Sequence, residues 1–397
     1  MTDPDTGPTT GRAPTLLVRR GLHEPVCEAL GRTATVSGSD RALVRVAWSD
    51  HGLGAQDALA TAQKTLGARY DDVSRLVVPN PVLSRDADPV TGQPKTFGGG
   101  RGAPTAAAAL PDRAGAATGS ADGPGDGAGV TVGVVDTRLV PHDWLVGSYL
   151  AAPQEIEREA QHLAKAGRRG SDVGHATFIA GLVLQQAPAA TLRALHVLEP
   201  DGSCELFDLV QAVRRVARTG VDVLNLSLGC YTDGDELPWP LLDALEELPQ
   251  GSVVVAAAGN HDPEEPAEVQ QAQRPFWPAA LPHVLAVGAL DRADRAAAPF
   301  SNDGSWVDLW ASGDELVSTF VRGPAYPTGW ASWGGTSFAS AVVAGVIATR
   351  TSHAGRVSAR QAAYELLAEL SGGELHGASQ GGRPVVLRRT AERYVAP

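Results

Sequence analysis

The chain has 397 residues, 43% of them hydrophobic, which is enough for a sizeable core and excludes a fibrous or wholly disordered protein. Its 33 Lys and Arg against 45 Asp and Glu leave a net charge of −12, which repels nucleic acid rather than gathering it. No stretch reaches the roughly 18 to 20 apolar residues that cross a bilayer, so no membrane partner is expected.

Residues 1–13, opening Met1-Thr2-Asp3-Pro4-Asp5, lack the basic start and apolar run of a secretory signal. They are expected to form a disordered N-terminus on a cytoplasmic protein. A small α+β module follows over 14–85. Thr15 to Val18 reads as a strand and Glu24 to Leu30 as a helix, with further strands over Thr33 to Val36 and Ala42 to Trp48. Ala55 to Leu66 reads as a helix with Leu59, Ala62 and Leu66 on one face, and Arg75 to Val78 as a last strand. This β-α-β-β-α-β order is the ferredoxin-like pattern.

Residues 86–128 are almost wholly small or polar, as in Gly98-Gly99-Gly100 and Asp122-Gly123-Pro124-Gly125-Asp126-Gly127. Such a stretch buries too little apolar surface to offset its ordering entropy, and a flexible linker is expected. Much of the chain's excess of glycine and proline, 45 and 28 residues, sits there.

From 129 to 397, buried-type runs alternate with helical patterns. Val130 to Val135, Leu192 to Val197, Val221 to Leu228, Ser252 to Ala258 and Val284 to Val287 read as strands, with helices at Ala176 to Leu184 and Leu206 to Arg218. Continuous apolar strands separated by helices imply an α/β domain of three layers with a mostly parallel central sheet. Ligands in such sheets sit at the carboxyl ends of the strands.

Four reactive residues stand at such junctions. Asp136 ends the first strand, His175 opens a helix after Asp172-Val173-Gly174, Asn260 ends the strand running from Val253, and Ser337 opens a helix after Gly334-Gly335-Thr336. The order Asp, His, Ser is one of the known orders of an acyl-transfer triad. A serine hydroxyl is a poor nucleophile until a histidine takes its proton, and the histidine needs a carboxylate to fix its tautomer. The Asn260 amide and the Ser337 N–H are candidate donors to the oxyanion of a tetrahedral intermediate. Cys27, Cys204 and Cys230, odd in number and widely spaced, fit neither a disulfide framework nor a zinc site and are expected as reduced thiols.

Gly174-His175-Ala176-Thr177-Phe178-Ile179-Ala180-Gly181 and Gly335-Thr336-Ser337-Phe338-Ala339-Ser340-Ala341 resemble the histidine and serine motifs of the subtilisin-like (S8) serine endopeptidases. Asn225-Leu226-Ser227-Leu228-Gly229 is similar to that family's substrate-aligning strand, and Ala256-Ala257-Ala258-Gly259-Asn260 to its oxyanion segment. Phe300-Ser301-Asn302 and Val307-Asp308-Leu309 also fall in family order. The resemblance runs from about Val130 to Arg350 and implies a subtilisin-like fold and a serine endopeptidase with catalytic Asp136, His175 and Ser337 and oxyanion donor Asn260. Arg138, Ala176, Phe178 and Ala341 depart from the motifs without removing a catalytic atom, and Arg138 and Ala176 add side chains expected near the reactive centre.

The resemblance further implies that an extended peptide or protein substrate pairs with Ser227, Leu228 and Gly229. Ala256, Ala257, Ala258 and Gly259 would wall a first pocket roomy enough for a large apolar side chain. Acids nearby (Asp233, Asp235, Glu236, Asp262, Glu264 and Glu265) would favour basic residues further along the peptide. The ending Val77-Val78-Pro79-Asn80-Pro81-Val82 makes the N-terminal module similar to the family's propeptide, an intramolecular inhibitor; an unrelated docking domain is the other reading. No cofactor is expected, and no acidic loop has a spacing that supports the structural calcium common among such relatives. The charged segment Pro153 to Gly170 reads as a solvated helix or an exosite. His142, His196 and His283 read as structural, and Trp330 and Trp333 as cleft lining or packing. The glycosylation pattern Asn225-Leu226-Ser227 lies on an expected buried strand. An inactive peptide-binding scaffold on the same fold is the alternative function; it would be expected to lack one of the four reactive residues.

Overall fold

A computed structural model describes residues 15–31, 33–48, 53–70, 72–80, 82–84, 104–110, 126–150, 171–199, 202–261, 263, 272–351, 357–371, 373–380 and 383–389. The expected disordered N-terminus and the charged segment from Pro153 to Gly170 lie outside these residues. The chain divides into two compact units, the first comprising residues 1–81 with 205–207 and 238–240, the second the remainder.

In the first unit the elements run β1 (Thr15–Arg19), α1 (His23–Leu30), β2 (Thr35–Ser39), β3 (Leu43–Ala47), α2 (Ala55–Gly67) and β4 (Val77–Pro79). The strands pair antiparallel in the order β2-β3-β1-β4. Leu16 and Val18 of β1 with Val44 and Val46 of β3, at strand period, meet Val26 of α1 and Ala58, Ala62 and Leu66 of α2, at helical period, in one core.

After residue 81 the chain continues with β5 (Val82–Ser84) and β6 (Thr105–Ala106) and then β7 (Thr131–Asp136), α3 (His175–Gln186), β8 (Thr191–His196), β9 (Ser203–Glu205), α4 (Leu206–Thr219), β10 (Val223–Leu226), α5 (Trp239–Leu245), β11 (Val253–Ala257) and β12 (Val284–Leu290). It ends with β13 (Leu309–Ser312), β14 (Leu316–Thr319), β15 (Trp330–Trp333), α6 (Thr336–Arg350), α7 (Ala359–Leu370), β16 (Leu375–Gln380) and β17 (Arg383–Arg389). Eight strands form the central sheet in the order β16-β17-β13-β12-β11-β10-β7-β8. From β13 to β8 every pairing is parallel; β16 and β17 add an antiparallel edge. β7 is followed by β8 on one side and by β10 on the other, so the winding reverses at β7, and the carboxyl ends of β7 and β10 are where sheets of this kind bind their ligands. Helix α6 is buried from Thr336 to Ala348, as expected of a helix apolar on all sides.

The linker expected over 86–128 is not featureless throughout. Thr105 and Ala106 pair antiparallel with Ser332 and Ala331 of β15, and β15 pairs with β14, giving a three-stranded sheet. The Tyr326 hydroxyl donates to Pro104 O at 2.7 Å and the Thr328 hydroxyl to Ala107 O at 2.7 Å. Composition could not reveal this strand, because its stability comes from backbone pairing and from donors more than 200 residues away.

Candidate functional site

The four reactive residues expected from sequence stand at strand ends and helix starts of the second unit. Asp136, fully buried, is the last residue of β7, and the Thr137 N–H donates to its Oδ1 at 2.7 Å. His175 is the first residue of α3, held there by the Ala176 N–H donating to Thr137 Oγ1 at 3.1 Å. His175 Nδ1 lies 2.8 Å from Asp136 Oδ1 and 2.9 Å from Oδ2. An ionised carboxylate only accepts, so the ring proton belongs on Nδ1 and the Nε2 lone pair is left for another group. Buried Nε2 has no hydrogen-bond partner. The ring is fixed by Trp333, edge-on with centroids 5.6 Å apart, and by Phe338 at 5.4 Å.

Ser337, buried, is the second residue of α6, where backbone N–H groups have no carbonyl a turn behind them. Its hydroxyl donates to Ser227 O at 3.3 Å. The Ser227 hydroxyl lies 2.9 Å from Ser337 O and 3.1 Å from Ser340 Oγ, and it accepts from Asn225 Nδ2 at 2.8 Å. These bonds tie the end of β10 to the start of α6. Asn225 is fully buried, so the glycosylation pattern is not available at a surface.

Asn260 follows β11. Its Oδ1 accepts from the Thr336 N–H and from the Thr336 hydroxyl, both at 3.0 Å. A backbone N–H cannot accept, so the amide oxygen is the atom turned to Thr336 and the NH2 group is presented away from it. Gly259, at φ +90°, makes the turn, and Asn302 braces it: its N–H donates to Gly259 O at 3.0 Å and its Nδ2 to Ala258 O at 2.9 Å. Thr336 and Asn302 were not singled out from sequence; their place inside the serine motif and the Phe300-Ser301-Asn302 motif is the only signal that pointed to them.

Because β10 and β11 pair with Leu226 beside Ala256, the segments leaving them, Ser227-Leu228-Gly229 and Ala257-Ala258-Gly259, run on from adjacent strands. Phe276, 2% exposed, approaches both segments so closely that a Cβ at Gly229 would lie 2.3 Å from its Cε1, and one at Gly259 2.8 Å from its Cδ1. Of the acids noted nearby, Asp235 pairs with Arg274 at 2.8 Å, while Asp262, Glu264 and Glu265 lie outside the described residues.

Of the other residues noted in the sequence, Arg138 is exposed, whereas Ala176 and Phe178 are buried. His142 Nδ1 accepts from the Trp144 N–H at 3.1 Å; its ring lies edge-on to Trp330, and burial pushes its pKa down. His196 bonds Leu198 O at 2.9 Å, and His283 is exposed. Trp333 is a packing partner of His175, and Trp330 packs on His142 and Trp144. Cys204 and Cys230 are buried free thiols, and burial raises the Cys230 pKa to about 12. Among the described residues no cluster of three or more His, Cys, Asp or Glu side chains is placed to hold a metal ion, and no helix is long and apolar enough to cross a membrane.

A model of the Subtilase family matches residues 127–381. A thermophilic serine proteinase of Bacillus sp. strain AK1 is 37% identical over 221 residues, 55% of this chain and 49% of that protein. Subtilisin E of Bacillus subtilis strain 168 is 32% identical over 183 residues, 44% of each. The chain thus spans about half the length of these relatives. Among solved structures, fervidolysin from Fervidobacterium pennivorans, a keratinolytic enzyme related to subtilisin, is similar with a TM-score of 0.56 at 19% identity, over 85% of this chain and 54% of that one, which is a likeness of fold.

Proposed function

Since the chain belongs to the subtilase family, we propose that it is a serine endopeptidase acting on peptide or protein substrates through an acyl-enzyme, with Ser337 as nucleophile and His175 as base. The observation that carries this reading is the histidine: Nδ1 is held by Asp136 while Nε2 has no partner, the protonation pattern a general base for serine requires. On binding substrate the Ser337 hydroxyl turns from Ser227 O to Nε2. Its oxygen attacks the carbonyl carbon as its proton passes to Nε2, and Asp136 stabilises the imidazolium. The Asn260 NH2 and the Ser337 N–H donate to the oxyanion, dipoles placed in advance where its charge develops. Nε2 then protonates the departing amine, leaving an ester on Ser337. Water repeats the sequence in reverse, losing its proton to Nε2 and releasing the acid.

Substrate binds by strand addition along Ser227, Leu228 and Gly229, with Ala256, Ala257, Ala258 and Gly259 opposite. The N-terminal module acts as an intramolecular inhibitor, a reading supported by its β-α-β-β-α-β order, the order by which it resembles the family's propeptide. The work is done in the cytoplasm, a reading supported by the free buried cysteines Cys204 and Cys230.

Labelling with a fluorophosphonate tests the proposal. Wild type is expected to label and Ser337→Ala to remain unlabelled; wild type that never labels would leave the peptide-binding scaffold as the surviving reading.

A further inference from the structure

Phe276 lies 47 residues after Gly229 and 17 after Gly259 in sequence, yet its ring touches both. Two backbone bonds hold it there: the Cys230 N–H donates to Trp277 O at 2.8 Å, and the Trp277 N–H to Cys230 O at 2.9 Å. The Tyr231 ring stands edge-on to Phe276 with centroids 5.1 Å apart, and the Asn302 Nδ2 donates to the Tyr231 hydroxyl at 2.8 Å. The Trp277 indole N–H donates to Thr232 Oγ1 at 3.0 Å. The ring is therefore fixed on two sides and is not free to swing aside.

We propose that Phe276 determines specificity: it fills the base of the first pocket, so that only Gly, Ala or Ser is accommodated on the carbonyl side of the scissile bond. This rests on the reading of Ser337 and Asn260 given above. The carbonyl carbon attacked by Ser337 sits with its oxygen on Asn260, and the side chain on its carboxyl-donating residue enters between the segments ending at Gly229 and Gly259. That space already holds a benzyl group. A methyl or hydroxymethyl fits in front of it, whereas Leu, Phe or Arg would have to displace a ring packed against two backbones, and interiors do not yield by that much. The same contact explains both glycines, since a side chain at either position would overlap the ring.

The test is a panel of tetrapeptide p-nitroanilides differing only in the residue before the anilide (Gly, Ala, Leu, Phe, Arg), with active sites counted by fluorophosphonate labelling. Wild type is expected to cleave the Ala substrate at least 100-fold faster than the Phe substrate in kcat/KM, and Phe276→Ala to shift that ratio at least 100-fold towards Phe. Phe276→Leu, which disturbs packing less, is expected to shift it about 10-fold and keeps the question decidable should the alanine variant fail to fold. Wild type that labels but prefers Leu or Phe, or a ratio unchanged in Phe276→Leu, would overturn the role of Phe276 while leaving the endopeptidase reading intact. Wild type that neither labels nor cleaves would overturn both.

Discussion

Asn260 offers a test in which structural and catalytic roles move in opposite orders. Its oxygen accepts two bonds from Thr336, and its NH2 is the group assigned to the oxyanion. Asn260→Ala removes both functions. The lost donor is expected to lower kcat about 100- to 1,000-fold, equivalent to roughly 3 to 4 kcal/mol, with KM little changed, because the oxyanion exists only in the transition state. Leaving the Thr336 N–H without an acceptor costs about 1 to 3 kcal/mol of stability. Asn260→Asp keeps an oxygen facing Thr336 and places a negative charge at the start of α6, which favours it by about 0.3 to 1 kcal/mol. Its stability should therefore match wild type. Its kcat should fall at least as far as that of the alanine variant, since an anion now faces the developing oxyanion. The measurements are kcat and KM on a peptide p-nitroanilide, with active sites titrated, alongside thermal unfolding of all three proteins. The expected order is wild type ≈ Asp > Ala for stability, but wild type ≫ Ala ≥ Asp for rate. An aspartate variant as active as wild type, or a rise in KM with kcat unchanged, would refute the assignment of the donor.

Two further outcomes follow from packing and titration. Tyr326→Phe and Thr328→Val each remove one bond to the strand at 104–107, and each is expected to cost about 0.5 to 1.5 kcal/mol, read as a fall of a few degrees in Tm; no change in either would show that the strand adds nothing to the second unit. Cys230 ionises at its ordinary 9.0 when unfolded and only at about 12 when folded, so it contributes nothing at neutral pH, and stability is lost as the pH rises from 9 towards 12. By pH 11 that loss is about 3 kcal/mol, and urea titrations should find it missing in Cys230→Ala; parallel curves for the two proteins would contradict it.

Strands β7, β10, β11 and β12 of the central sheet were legible because they are buried on both faces and read as continuous Val, Leu and Ala runs. β13, β14, β15, β16 and β17 did not read that way. They are short, or mix polar with apolar residues as in Trp330-Ala331-Ser332-Trp333 and Arg383 to Arg389, and their strand character comes from pairing partners remote in sequence. In the second unit, boundaries such as Val223–Leu226 against the expected Val221 to Leu228 moved because apolar content marks burial, which continues past the last ladder bond.

The reactive residues were legible for a different reason: each occupies a strand end or helix start whose flanking glycines and hydroxyls are local in sequence. The pocket was not. Ala256 to Gly259 are small, and smallness in sequence does not by itself mean empty space. A small residue marks only that something comes close, and whether that something is a substrate or the protein itself depends on a residue that the chain returns from elsewhere. Here the returning residue is Phe276, carried back by the paired backbones of Cys230 and Trp277. The glycines at 229 and 259 are then two halves of one contact with that ring, and a specificity read from the pocket walls alone leaves that ring out.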